Sequence, residues 1–157
     1  MQKSLLRAPF ALAGAAALAL TLAVSGCSSD SASHSASESV VQTADGTVAP
    51  PEAPVGVGVT DFADVIASPD VTIVDVRTPE EFAQGHIEGA VNIPVEYADF
   101  TDQVSQLDAD GTYAVYCRSG NRSRTAVDQM SGVEINGIYE LESGTNGWAA
   151  AGQPLVQ

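Results

Sequence analysis

A chain of 157 residues with twenty acidic and only six basic side chains carries a formal net charge of −14. That balance argues against a nucleic-acid partner. The length, once a leader and a linker are set aside, suits one domain with one core.

Residues 1–26 read as an export signal. Lys3 and Arg7 form a positive start, and residues 10–24 are apolar and uncharged. That run is shorter than the roughly 20 residues a spanning helix needs. It ends in Val24-Ser25-Gly26-Cys27, which resembles the lipobox of bacterial lipoproteins. The resemblance implies that Cys27 is lipidated and becomes the new N-terminus. The protein would then be exported and lipid-anchored, to the outer face of the cell membrane or to the outer membrane.

Residues 27–54 read as the lipidated cysteine and a disordered tether. Seven serines fall between Ser28 and Ser39, and Pro50, Pro51 and Pro54 follow. Such a composition buries too little apolar surface to offset its ordering entropy. As a flexible coil it spans about 30 Å. His34, a single histidine among serines, is read as solvated. With lipid on Cys27, Cys117 is the only free thiol, which excludes an intramolecular disulfide and argues against dithiol redox chemistry.

The globular part is residues 55–157. A short helix is expected over 60–67, with Thr60 as N-cap. The β-branched run 71–76 reads as a buried parallel strand. Residues 79–84 start like a helix, with Pro79 near its first position, two glutamates in the first turn and Gly85 past the end. A strand over 90–93 closes at Pro94. A helix over 97–107, a turn at Asp110-Gly111 and a strand over 113–116 come next. A short helix over 122–130, a strand over 138–141 and a final helical stretch over 145–151 complete the chain. Strands alternating with helices imply an α/β fold with a mainly parallel sheet. Ligands in such sheets bind beyond the strand carboxyl ends, and Cys117 stands at one.

Cys117 lies in Tyr116-Cys117-Arg118-Ser119-Gly120-Asn121-Arg122-Ser123-Arg124, between a strand and a helix start. Backbone N–H groups and the helix dipole favour thiolate over thiol there, and thiolate is the nucleophile. After residue 26 there is no lysine and there are four arginines against twenty acids, a net of −16. Three of those four arginines, Arg118, Arg122 and Arg124, lie within seven residues of one another beside the thiol. Cations are disfavoured at helix N-termini, so the cluster points to an anionic ligand.

Three stretches together carry a family resemblance. Val71 through Phe82, with Asp75, Arg77 and Pro79, followed by Gly85-His86-Ile87-Glu88-Gly89-Ala90 and Asn92-Ile93-Pro94, resembles the first signature of rhodanese-homology domains. Cys117 through Ser123 is similar to their active-site loop. Gly144-Thr145-Asn146-Gly147-Trp148, followed by Gly152-Gln153-Pro154, resembles their C-terminal signature. The matches come in family order and cover nearly all of residues 59–156. The resemblance implies a three-layer domain, a central mainly parallel sheet flanked by helices. It also implies a single-domain sulfurtransferase that needs no cofactor or metal. Its Cys117 would take sulfane sulfur from a donor such as thiosulfate and pass it to a thiol or cyanide. Arg118, Ser119, Gly120, Asn121 and Arg122 would bind the donor or the persulfide. Ser123 is read as the cap of the following helix, Asp75 and Arg77 as supports for the site loops, and His86 as a turn stabiliser. Trp148 is read as core or rim packing. One departure is visible: Glu142-Ser143-Gly144 stands where the family usually has a Gly-Gly pair.

Two other readings use the same thiol. Cysteine phosphatases and arsenate reductases share an anion-cradling loop, but place its arginine after five intervening residues. Here Arg122 follows four. A membrane-tethered sensing module, with Cys117 reporting redox or sulfide state, is the alternative from another class. A monomer is expected.

Overall fold

The computed structural model describes residues 46–157. The export signal, Cys27 and most of the tether lie outside the described residues. Ten elements follow one another: β1 (Val55–Val57), α1 (Val59–Ile66), β2 (Val71–Asp75), α2 (Pro79–Gln84), β3 (Val91–Asn92), α3 (Phe100–Val104), β4 (Thr112–Tyr116), α4 (Asn121–Ser131), β5 (Ile138–Leu141) and α5 (Gly144–Ala150).

The five strands form one sheet in the order β1-β5-β4-β2-β3. Every pairing is parallel. All residues of β4 and β5 are buried, as expected for inner strands of a sheet covered on both faces. One face packs Phe100 and Val104 of α3 and Ala126, Val127 and Met130 of α4 against Val74, Val115 and Ile138. The other packs Phe62 and Val65 of α1 and Trp148 of α5 against Ile73, Ala114, Tyr116, Tyr139 and Leu141. The result is the expected three-layer α/β arrangement. Each large apolar side chain buried this way is worth about 1.5–3 kcal/mol.

The chain leaves β2 toward β3 on one side and leaves β4 toward β5 on the other. The crevice at such a reversal, beyond the strand carboxyl ends, is where open α/β sheets place their ligands. Cys117 follows β4 at that crevice.

Local chemistry sets the element ends. Thr78 and Glu81 close a capping box on α2, with Pro79 in its first turn. The helix α1 starts at Val59 with Gly58 as N-cap and no side-chain cap, which corrects the expected role of Thr60. The helix α3 is shorter than 97–107, because Tyr97 accepts from the Phe100 N–H in a turn and Gln106 and Leu107 bond back only three residues. The helix after the loop, α4, is not short but 11 residues long. The edge strand β1 went unread in the sequence. Ahead of it, inside the span read as tether, Val48 is buried in the core and donates its N–H to Ser68 Oγ at 3.3 Å, and Ala49 O accepts from the Tyr139 hydroxyl at 2.9 Å.

Candidate active site

The central strand β4 carries Cys117 directly out of the core, and the thiol is fully buried. The loop then turns through Gly120, whose φ of +89° belongs to the left-handed region and which serves as N-cap of α4. A Cβ at Gly120 would strike the carbonyl oxygen of Glu142, and one at Gly144 (φ +56°) would strike the backbone of Cys117 and Arg118. The two glycines thus let the β4 and β5 loops lie against each other. The first amides of α5 complete the contact: Thr145 N–H donates to Cys117 O at 2.9 Å and Asn146 N–H to Arg118 O at 3.0 Å.

With those carbonyls turned toward α5, the loop amides face the sulfur. Gly120 N–H donates to Cys117 Sγ at 3.1 Å. Burial pushes the Cys117 thiol up, but the Ser123 hydroxyl and the N–H groups of Ser119, Ser123 and Gly120 outweigh it, so the thiol sits below its ordinary value. Ser123 does not cap α4. Its side chain is fully buried, 3.5 Å from Cys117 Sγ, with two acceptors in reach of its hydroxyl: Gly120 O at 3.1 Å and Glu140 Oε1 at 2.6 Å.

Glu140, in the middle of β5, was missed in the sequence. It pairs in register with Val115, so its side chain shares the sheet face from which Cys117 projects two residues on. It is 8% exposed and forms no ion pair with any described residue. Burial pushes its carboxyl up, with Glu142 and Asp128 adding to the rise, against the Ser123 hydrogen bond and Arg124. An acid inside an otherwise apolar four-residue strand was the available signal.

The three arginines cluster in sequence but do different things. Arg118 and Ser119 are exposed, as is Asn121. Arg118 takes part in no ion pair among the described residues. Arg124 fastens the loop, donating to Gly120 O at 3.2 Å and Asn121 Oδ1 at 2.8 Å. Arg122 reaches back to α2, donating to Glu81 at 2.6 and 2.8 Å and to Glu96 at 3.4 Å. That pairing raises the Arg122 pKa and lowers that of Glu81. Neither carboxylate was singled out in the sequence, because each lies far from Arg122 along the chain.

The support residues sit around the neighbouring strand end. Asp75 is fully buried and takes Arg77 Nε at 3.0 Å, Arg77 Nη2 at 2.6 Å and Arg77 N–H at 2.9 Å. Arg77 also donates to Gly85 O at 2.8 Å, and Asn92 Nδ2 bonds the carbonyls of Asp75 and Arg77. The pair thereby ties β2, the end of α2 and β3 together. His86 stacks on Phe82 with ring centroids 3.7 Å apart, places Nδ1 at 3.1 Å from Phe82 O, and bridges to Val156. Trp148 is buried against Phe62 on the face opposite Cys117, its Nε1 donating to Pro154 O at 2.8 Å. No cluster able to hold a metal ion occurs among the described residues.

The same fold occurs in known proteins. An uncharacterized protein of Synechocystis is 38% identical over 87 residues, which cover 55% of this chain and 48% of that relative. The chain thus matches about half the length of that protein. Thiosulfate sulfurtransferase 16 of Arabidopsis thaliana is 36% identical over 91 residues, 52% of this chain and 76% of the relative. The crystal structure of a rhodanese-related protein from Thermoplasma volcanium superimposes with a TM-score of 0.57 at 34% identity, over 64% of this chain and 96% of that one. The family profile described as Rhodanese-like domain matches residues 59–151, and the chain belongs to that family.

Proposed function

We propose that the protein is a sulfurtransferase in which Cys117 carries sulfur as a persulfide. The observation that carries this reading is the Cys117 sulfur: buried, held below the ordinary thiol pKa, and bonded by the Gly120 N–H at 3.1 Å. A thiolate so placed attacks the outer sulfur of a donor such as thiosulfate. The Cys117–sulfur bond forms, the donor's sulfur–sulfur bond breaks, and sulfite leaves with the electron pair. The new terminal sulfur is anionic, and the loop amides that faced the thiolate suit it equally. A thiol or cyanide acceptor then attacks that terminal sulfur and Cys117 thiolate departs. Arg118, exposed and unpaired among the described residues, and the amides beside it are the groups free to meet the donor's oxygens.

The test is thiosulfate-dependent thiocyanate formation by the full chain beside its Cys117→Ser variant, with the mass of the intact protein recorded after donor alone. Turnover and a gain of one sulfur atom, both absent in the variant, are the expected results. A reactive Cys117 with neither would overturn this reading in favour of a redox- or sulfide-responsive module.

The lipobox-like run ending at Cys27 supports export and a lipid anchor on that residue, with the catalytic domain held as a monomer outside the cytoplasm. Labelling with a radioactive fatty acid, lost in Cys27→Ala, tests the anchor.

A further inference from the structure

The Ser123 hydroxyl has one hydrogen and three acceptors around it: Glu140 Oε1 at 2.6 Å, Gly120 O at 3.1 Å and Cys117 Sγ at 3.5 Å. A hydroxyl can satisfy only one of them fully at a time. Which one it serves depends on Glu140. As a carboxylate, Glu140 can only accept, and the short contact takes the Ser123 hydrogen. As a carboxylic acid, it donates to Ser123 Oγ and frees the Ser123 hydrogen for the sulfur, with Gly120 O the competing acceptor.

We propose that Glu140 is a positioning residue for Cys117: protonated, it turns the Ser123 hydroxyl onto the sulfur, and ionised, it draws the hydroxyl away. The proposal rests on reading Cys117 as the nucleophile. Thiolate formation then needs no proton to leave the buried site. The Cys117 S–H bond breaks as Ser123 Oγ gains that hydrogen, and the Ser123 O–H bond breaks as Glu140 Oε1 gains its hydrogen. One negative charge is present before and after, carried first by Glu140 and then by sulfur.

Geometry and charge both favour a single shared charge. Cys117 and Ser123 are fully buried and Glu140 is 8% exposed, so two anions here would repel with little water between them. The charged groups that bear on Glu140 are Arg124 and Asp128 of α4 and Glu142 at the end of its own strand; β4 contributes Cys117. Two of those three fixed charges are acids, and Arg124 is exposed and engaged with Gly120 O and Asn121. The direction of the Glu140 pKa, raised first by burial, is consistent with the acid form persisting beyond the ordinary carboxylate range.

The experiment measures the pH profile of Cys117 alkylation by iodoacetamide, a neutral reagent, on the full chain, with Glu140→Gln, Ser123→Ala and the double variant. Glutamine copies the protonated acid, since its amide also donates to Ser123 Oγ. The expected result is a thiolate inflection moved to lower pH in Glu140→Gln, with alkylation well below that inflection at least about threefold faster, the factor half a pH unit gives. Ser123→Ala moves the inflection up, and adding Glu140→Gln to it shifts the profile by less than half as much as in the wild type. In parallel the side-chain carboxyl carbon of Glu140 is titrated by NMR, and its inflection falls when Cys117 is replaced by serine. Superimposed wild-type and Glu140→Gln profiles, or an upward shift, overturn the proposal. So does a Glu140 carboxyl that titrates near the ordinary glutamate value of about 4.3 and ignores Cys117. A Cys117 that alkylates in no variant would fail the nucleophile reading instead, while the carboxyl titration still decides the role of Glu140.

Discussion

The Arg122 guanidinium grips Glu81 with two prongs, Nη1 to Oε2 at 2.6 Å and Nη2 to Oε1 at 2.8 Å, across 41 residues of sequence. Glu81 Oε2 also accepts from the Thr78 N–H at 3.4 Å, so one carboxylate both caps α2 and restrains the loop behind Cys117. The site therefore already holds an internal anion on one of the three arginines near Cys117.

Removing that charge has a definite consequence. In Glu81→Gln the capping box survives, because glutamine closes it as well as glutamate does. Arg122 loses its main counterion and becomes available to an incoming dianion. KM for thiosulfate falls about two- to fivefold, and stability drops by about 0.5–1 kcal/mol, the range of a partly exposed ion pair. Steady-state kinetics and urea titration check both, and a KM that rises would show the pair orders the loop instead. The sign with pH follows from Glu81, whose pKa is lowered chiefly by its hydrogen bonds to Arg122. Its stabilisation is fully present above the unfolded glutamate value of about 4.3 and is lost as pH falls through the lower folded value. The wild type and Glu81→Gln should converge in stability in strong acid.

The two loop glycines and their serine neighbour separate a needed glycine from a dispensable one. Gly120→Ala forces a left-handed alanine and a collision with the Glu142 carbonyl, so about 1–3 kcal/mol is lost and the Gly120 N–H moves off the sulfur. Ser143, by contrast, has φ −86° and ψ −10°, ordinary helical values that need no glycine. Its departure from the Gly-Gly pattern leaves Gly144, the residue facing Cys117 and Arg118, in place. Ser143→Gly should change stability by less than about 1 kcal/mol and leave turnover intact. Thermal melts and thiocyanate formation distinguish the two variants.

Much of this was legible in the chain, for physical reasons. The run Val71–Asp75 and the helix Pro79–Gln84 announce themselves through β-branched residues and a cap-proline-acid start. The thiol at a strand-to-helix turn is a local pattern as well. The rest depends on residues meeting across the sheet. Val55–Val57 is a three-residue edge strand holding a glycine, too short for any period to appear. Ser123 looked like a helix cap because a serine near a helix start usually is one; β5 supplied the better partner, Glu140, 17 residues on. Arginines adjacent in sequence point in separate directions once Arg122 and Asn121 lie on a helix, and only the fold shows that Glu81 and Glu96 hold one of them.

The buried Asp75–Arg77 pair supports stability rather than chemistry. Asp75 and Arg77 are nearly inaccessible, and no fully buried polar side-chain atom among the described residues lacks a partner. Asp75→Asn leaves the Arg77 charge buried against a neutral amide, which costs about 3–5 kcal/mol. The urea midpoint should fall steeply. Turnover per folded molecule should fall far less than in Cys117→Ser, because Asp75 touches neither the sulfur nor its loop hydrogen bonds.

Net charge gives the remaining prediction. At −14 the chain repels a dianion at long range, and only the arginines beside Cys117 attract it at short range. At about 10 mM salt the screening length is roughly 30 Å, so the whole molecule is felt; at about 150 mM it is roughly 8 Å, and the local cations dominate. With a neutral thiol as acceptor, kcat/KM for thiosulfate should rise about two- to threefold over that interval. It should flatten or decline at higher salt, where the short-range attraction is screened in turn. A steady fall from the lowest salt upward would mean that the arginine field already outweighs the acidic surface at every distance the donor travels, and repulsion by the remainder of the chain would then have no part in setting the rate.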